Sequence, residues 1–156
     1  MKVTSTNDLP WKDALVRGAY GQRTKPLDTG KGARLASSLW ELAPGKKSFP
    51  FHAHQVTEEA LFVLSGHAKV RSPDGLTTLG PGDFVSFPAG GPAHQLVNDG
   101  TEPFVYLGIS SGMGVDIVDY PDSKKVGAAA GRPPEGRRYV FRQADQVDYF
   151  ADDPDA

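Results

Sequence analysis

Between residues 34 and 110 the chain breaks into short runs of alternating apolar and polar positions, punctuated by glycine, proline, asparagine and aspartate. In Arg34–Leu42 the residues Arg34, Ala36, Ser38, Trp40 and Leu42 fall on one face and Leu35, Leu39 and Glu41 on the other, the two-residue period of an extended strand. The same reading predicts extended segments at Phe49–His54, Glu59–Leu64, His67–Arg71, Thr77–Leu79, Asp83–Phe87, His94–Val97 and Phe104–Ser110. Between them, SG, SPDG, GPGD, PAGGPA and NDGTEP supply the residue types that tight turns require. This rhythm predicts an all-β barrel or sandwich.

The two ends follow a different pattern. Residues 1–33 read as an arm, with a short helical turn at Trp11–Arg17 and then a polar, glycine-containing passage to Gly32. Past Gly112 the alternation weakens: GAAAGRPPEG reads as a loop, Arg138–Arg142 as one more strand, and ADDPDA as a mobile acidic end. No internal repeat stands out. The expected organisation is one domain over 1–156, with a barrel core at about 34–110 and an extension over 111–156.

Composition narrows the function classes. The charge balance is 17 basic against 19 acidic residues with no dense basic cluster, so neither nucleic acid nor an anionic membrane is an expected partner. With no cysteine, disulfides, thiolate metal sites and cysteine nucleophiles drop out. The beginning of the chain shows no apolar run of the secretory kind, which makes the cytoplasm the expected compartment.

The candidate chemistry centres on FHAHQVTEEALFVLSG, Phe51 to Gly66. On a strand His52 and His54 point the same way, and such an imidazole pair can bind a divalent ion, although two polar residues on a solvated face would look the same. Glu59 shares a face with Leu61 and Val63, and a carboxylate opening an apolar face must be paired, ligated or at the rim. His94 follows a glycine- and proline-rich turn and could join this group only if the chain folds back on itself.

These residues resemble the two conserved motifs of the cupin superfamily. Gly45…His52-x-His54-x4-Glu59-x6-Gly66 is similar to the first, and Gly82-x5-Pro88-x-Gly90-x3-His94-x3-Asn98 to the second. Six residues separate Gly45 from His52 and three separate Gly90 from His94, in each case one more than is common in the family, and both differences fall in turns. The resemblance implies a cupin-type double-stranded β-helix, a jelly-roll barrel, holding one divalent transition metal through His52, His54, Glu59 and His94. Glu59 is preferred to Glu58 by its spacing to Gly66 and by its inward parity.

Three imidazoles and a carboxylate suit Mn, Fe, Ni, Co, Zn or Cu(II), and ligand type does not choose among them. Trp40, Phe51, Phe87 and Tyr106 are candidates to line an apolar cavity, with Arg34, Ser86 and Gln95 as polar contacts; core packing is the competing role for the aromatics. His67 belongs to the outward set with Lys69 and Arg71. Glu41, Glu58, Asp83 and Asp116 read as turn residues or solvated strand charges.

The expected function is a metal-binding cupin acting on a small molecule. Its alternatives are a sugar or sugar-phosphate isomerase, as some small bacterial cupins are labelled, a dioxygenase, a non-catalytic binding module, or a purely structural barrel. The family resemblance also implies a homodimer, with the arm and Arg138–Arg142 as edge strands available for pairing.

Overall fold

The computed structural model describes residues 3–27, 33–112, 114–131 and 136–155. The described chain is almost wholly β: β1 (Lys12–Arg17), β2 (Tyr20–Leu27), β3 (Leu35–Leu42), β4 (Ala53–His54), β5 (Glu59–Ser65), β6 (Ala68–Ser72), β7 (Gly75–Leu79), β8 (Phe84–Phe87), β9 (Gln95–Val97), β10 (Phe104–Ser111), β11 (Val115–Tyr120), β12 (Lys125–Ala130) and β13 (Arg137–Arg142). They pair antiparallel in the orders β1-β2-β3-β10-β5-β8, β7-β6-β9 and β13-β12-β11-β4. No described helix is long and apolar enough to cross a membrane.

Alternation decides which side chains go inside. On β5, Leu61 and Val63 are buried while Phe62 and Leu64 between and beyond them are exposed. On β10, Phe104 and Tyr106 are buried, and β10 lies between β3 and β5, so the three strands put Leu42, Leu61, Val63, Phe104 and Tyr106 into one core. Ala68, Val70, Leu79 and Leu96 close it from the smaller sheet. A second, smaller cluster of Phe51, Ala53 and Ala93 packs behind the strand segments that carry the histidines.

Asn98, at the end of the second motif, has a structural task. Fully buried, it donates through Nδ2 to the carbonyls of Leu42 (3.0 Å) and Glu102 (2.9 Å) and accepts the Gly100 N–H at 3.0 Å through Oδ1. Three hydrogen bonds from one side chain replace the ladder where the chain turns between β9 and β10.

The ends of the chain differ from the sequence expectation. Trp11–Arg17 is no helical turn: Lys12–Arg17 is β1, paired with β2, which itself pairs with β3 and so widens the main sheet. Tertiary pairing overrides local preference here, helped by Trp11, whose ring lies 5.0 Å from Lys25 Nζ and 5.6 Å from the Arg23 guanidinium carbon, both on β2. The loop expected at GAAAGRPPEG begins instead as β12, a strand of small residues held by β11 on one side and β13 on the other. The later part of that loop, at 132–135, and the passage at 28–32 lie outside the described residues.

Gly66 shows why the motif needs a glycine at its end. Its φ is +77°, and a Cβ there would sit 2.2 Å from the Pro103 carbonyl oxygen, whereas Gly82, at φ +91°, has open space. Gly82→Ala should therefore cost about 1–2 kcal/mol from left-handed strain alone. Gly66→Ala should cost distinctly more, because backbone must move. Urea unfolding midpoints of the two variants test this, and equal losses would contradict it.

Candidate metal centre

Two backbone hydrogen bonds assemble the site. His52 N–H donates to the His94 carbonyl at 3.2 Å and His94 N–H to the His52 carbonyl at 2.8 Å, so two histidines far apart in sequence become direct neighbours across a β-bridge. His54 follows two positions later on β4, and Glu59 opens β5 on the face it shares with Leu61. The Nε2 atoms of His94, His54 and His52 lie 3.3, 3.5 and 3.9 Å from Glu59 Oε2.

The geometry fits a metal ion. Bonds of about 2.0–2.1 Å to nitrogen and oxygen leave adjacent ligand atoms roughly 3.0–3.4 Å apart, close to the separations here. One ligand atom each from His52, His54 and Glu59 lies within 4.8 Å of the others, so these three could hold an ion. His94 stands outside that tightest group but nearest to Glu59. Two of the rings are oriented from behind: His52 Nδ1 is 2.7 Å from the Pro50 carbonyl, and His54 Nδ1 is bonded to Asp116 Oδ2. A carbonyl can only accept, so His52 carries its proton on Nδ1 and leaves the Nε2 lone pair facing Glu59. His94 is held differently, by the Phe87 ring stacked on it at 3.7 Å and 12°, while its Nδ1 has no partner among the described residues.

Burial and mutual charge set the protonation states. His52 is pushed down to about 4, first by burial and then by His94 and His54, against the pull of Glu59 and the Pro50 carbonyl. Burial by itself pushes the Glu59 carboxyl up, but the hydrogen bond with His94 and the surrounding imidazoles together hold it below its usual value. Burial likewise opposes ionisation of Asp116, and its bonds to His54, Thr57 and Val56 outweigh that and hold it low. Neutral imidazoles and ionised carboxylates are the forms that bind metal.

Beside these groups lies a cavity of about 240 Å³. Its walls include Trp40, Phe49, Phe87 and Tyr106, together with His52, Glu59 and His94. Trp40 stacks on Tyr106 at 6.5 Å and 15° and meets Phe49 edge-on at 5.5 Å. The indole lies over Gly108, where a Cβ would stand 2.7 Å from its ring. The buried Tyr106 hydroxyl donates to Gln22 Oε1 at 3.4 Å, and burial raises the phenol so that it keeps its proton.

Three expected pocket residues lie elsewhere. Phe51 and Gln95 are buried, but each is next in sequence to an inward histidine and so faces the other way: Phe51 lies under the Arg71 guanidinium at 4.0 Å, and Gln95 Nε2 donates to the Phe49 carbonyl at 2.7 Å. Arg34 precedes β3 and is exposed. Ser86 lines a neighbouring depression that shares Glu59 and Phe87 with the cavity. Glu58 and His67 are exposed, in line with their outward reading.

Asp116 is the functional candidate that the sequence reading missed. It is a buried carboxylate on β11, whereas the sequence reads it as a turn residue or solvated strand charge. The signal was the alternation of β11 itself: Asp116 and Val118 face inward, Val115 and Ile117 outward. Tyr120, on the same strand, stacks over His52 at 6.3 Å and 25°, and Asp122 beyond it accepts two hydrogen bonds from Arg71, at 2.6 and 2.9 Å.

Comparison with known proteins agrees with this fold. Residues 38–110 match the cupin domain family. The structure superimposes with a TM-score of 0.80 on a protein from Acidithiobacillus ferrooxidans described as "Putative sugar phosphate isomerase", 28% identical over 94% of this chain and 95% of that one. A cupin-superfamily protein from Silicibacter pomeroyi, described as a sugar phosphate isomerase, gives a TM-score of 0.80 at 22% identity, covering 93% of this chain and 95% of that one, a likeness of fold. The polyketide cyclase RemF from Streptomyces resistomycificus gives 0.60 at 27% identity, covering 71% and 79%. No curated protein matches the sequence. Residues 38–110 thus form a cupin-type barrel, and the chain as a whole is similar to these small cupin proteins.

The His52 environment makes the stability of the metal-free protein depend on pH. The unfolded chain protonates this group near 6.5 and the folded one near 4, so between those values the unfolded state holds more protons. Stability in chelator should fall as pH is lowered through that window, with Glu59 and Asp116 adding their loss at its acid end. Melting temperatures across the window, with His52→Ala as comparison, check this. The variant should show a flatter slope, and an identical slope would contradict the assignment.

Proposed function

We propose that the chain is a metal-dependent cupin enzyme that binds a small oxygen-bearing molecule in the barrel cavity. The observation that carries this reading is the convergence of the imidazoles of His52, His54 and His94 on Glu59, three of these four residues lining a cavity that Trp40, Phe49, Phe87 and Tyr106 also line. His52, His54 and Glu59 would hold a divalent ion with His94 beside them, and the ion, when bound, would supply Lewis-acid polarisation of a ligand oxygen. Trp40, Phe49, Phe87 and Tyr106 would exclude water around the ligand. None of the cavity's lining residues is lysine or arginine, which favours an uncharged or compact ligand over one whose phosphate enters the cavity.

A second reading, isomerisation of a sugar or sugar phosphate, is favoured by the likeness to the Acidithiobacillus protein, which covers 94% of this chain and so extends beyond the barrel. It requires the phosphate to stay at the cavity mouth. A dioxygenase or a non-catalytic binding module would use the same ligands with different outcomes.

Elemental analysis of untagged protein should find about one equivalent of a transition metal, and a His54→Ala/Glu59→Ala double variant should lose it. A parent that stays metal-free after reconstitution with Mn, Fe, Ni and Zn would overturn the reading. With metal bound, small uncharged oxygen-bearing molecules should raise the melting temperature, and interconversion of an aldose and a ketose without oxygen would favour the second reading. Response to phosphosugars alone would favour the second reading, and oxygen uptake would move the assignment to a dioxygenase.

A cytoplasmic homodimer belongs to the same proposal. β1 and β13 end their sheets, and on β13 the side chains of Tyr139, Val140 and Phe141 are about half exposed, open to a second copy. Sedimentation at micromolar concentration should give twice the mass of the 16.7 kDa chain, and a monomer would refute this part.

A further inference from the structure

The segment that carries two of the proposed ligands is fastened to a strand beyond the family-matched residues 38–110. β11 pairs with β4 in the register Val118↔His54 and Asp119↔Ala53. Just after β4, Gln55 N–H donates to the Ile117 carbonyl at 2.9 Å, and Gln55 Nε2 donates to Asp119 Oδ2 at 2.7 Å. From this strand Asp116 reaches inward. Its Oδ1 accepts the backbone N–H groups of Val56 (3.0 Å) and Thr57 (3.4 Å), and its Oδ2 meets His54 Nδ1.

We infer that Asp116 is a positioning residue for the metal centre: its carboxylate fixes His54 with the proton on Nδ1, so that the Nε2 lone pair is presented beside Glu59. The argument is one of donor and acceptor counting. Three groups converge on Asp116, two of them backbone donors, and an ionised carboxylate is the side chain of that size that offers acceptors on both sides and no donor. A solvated strand charge would have no need of burial or of three partners. The loop holding Val56 and Thr57 and the ring of His54 thus share one anchor, supplied by the C-terminal extension.

Asparagine at this position keeps the shape and breaks the count. Its carbonyl oxygen can serve the two backbone donors, which turns its NH₂ toward His54 and makes Nδ1 the acceptor. The ring proton then moves to Nε2, where it blocks the lone pair a metal needs.

The metal-binding half of this inference rests on the proposed ligand role of His54; the tautomer half does not. The first measurement is therefore the tautomer of His54 in ¹⁵N-labelled, chelator-treated protein, read from long-range ¹H–¹⁵N correlations. The parent should show the Nδ1–H form and Asp116→Asn the Nε2–H form. Zinc affinity, measured by competition with a chromophoric chelator, should fall roughly 10- to 100-fold in the variant.

An Nε2–H tautomer in the parent would overturn the inference, and that measurement stands even if the variant does not fold. A variant that keeps the parent's tautomer would overturn it as well, whether or not its zinc affinity falls. A variant with the altered tautomer and parental zinc affinity would also overturn the positioning role. If the parent takes up none of Mn, Fe, Ni and Zn while His54 holds the Nδ1–H form, the metal reading fails and the Asp116–His54 pairing stands.

Discussion

Two backbone hydrogen bonds between His52 and His94 are the hinge on which this molecule's chemistry turns. They join the first and second motif regions at one point, and the side chains of both residues must then project to the same side. Glu59 arrives on that side because it begins the strand whose next inward positions are Leu61 and Val63. The result is a partly buried carboxylate facing three imidazoles, of which burial makes His52 hard to protonate. Such a group is costly to assemble and has little to contribute to a core that Leu42, Phe104 and Val63 already fill.

The inward face of the barrel was legible because alternation is a strong signal. Glu59, Leu61 and Val63 could be placed from parity, and Trp40, Phe87 and Tyr106 do line the cavity. The same rule, applied more strictly, would have removed Phe51 and Gln95, since neighbours of inward histidines on extended backbone must face outward. His94 was different: nothing local marks it, and only the resemblance to a known family linked it to the first three residues.

At the two ends only Arg138–Arg142, which lies in β13, was legible as a strand, and the rest was hidden for physical reasons. Lys12–Arg17 lacks a clean two-residue pattern because β1 is largely exposed on both faces, and its extended form comes from pairing with β2. Lys125–Ala130 consists mostly of residues with low strand preference, and it is extended because neighbours on both sides supply hydrogen bonds. Asp116 was lost with its strand. Once β11 is recognised, its buried carboxylate on the Val118 face is conspicuous, and the extension changes from an appendage to a part of the site's scaffold.

The contact between Trp40 and Gly108 carries one more consequence. An indole resting directly on a main chain has nowhere to retreat, so the depth of the cavity is fixed by the absence of a single methyl group on β10. A hydrogen at Gly108 sets the ring back against the wall, and any larger group would drive it into the cavity. The size of molecule this cavity could admit is thus governed by a residue that contributes no functional group, and it could change while the proposed metal-binding residues stay in place.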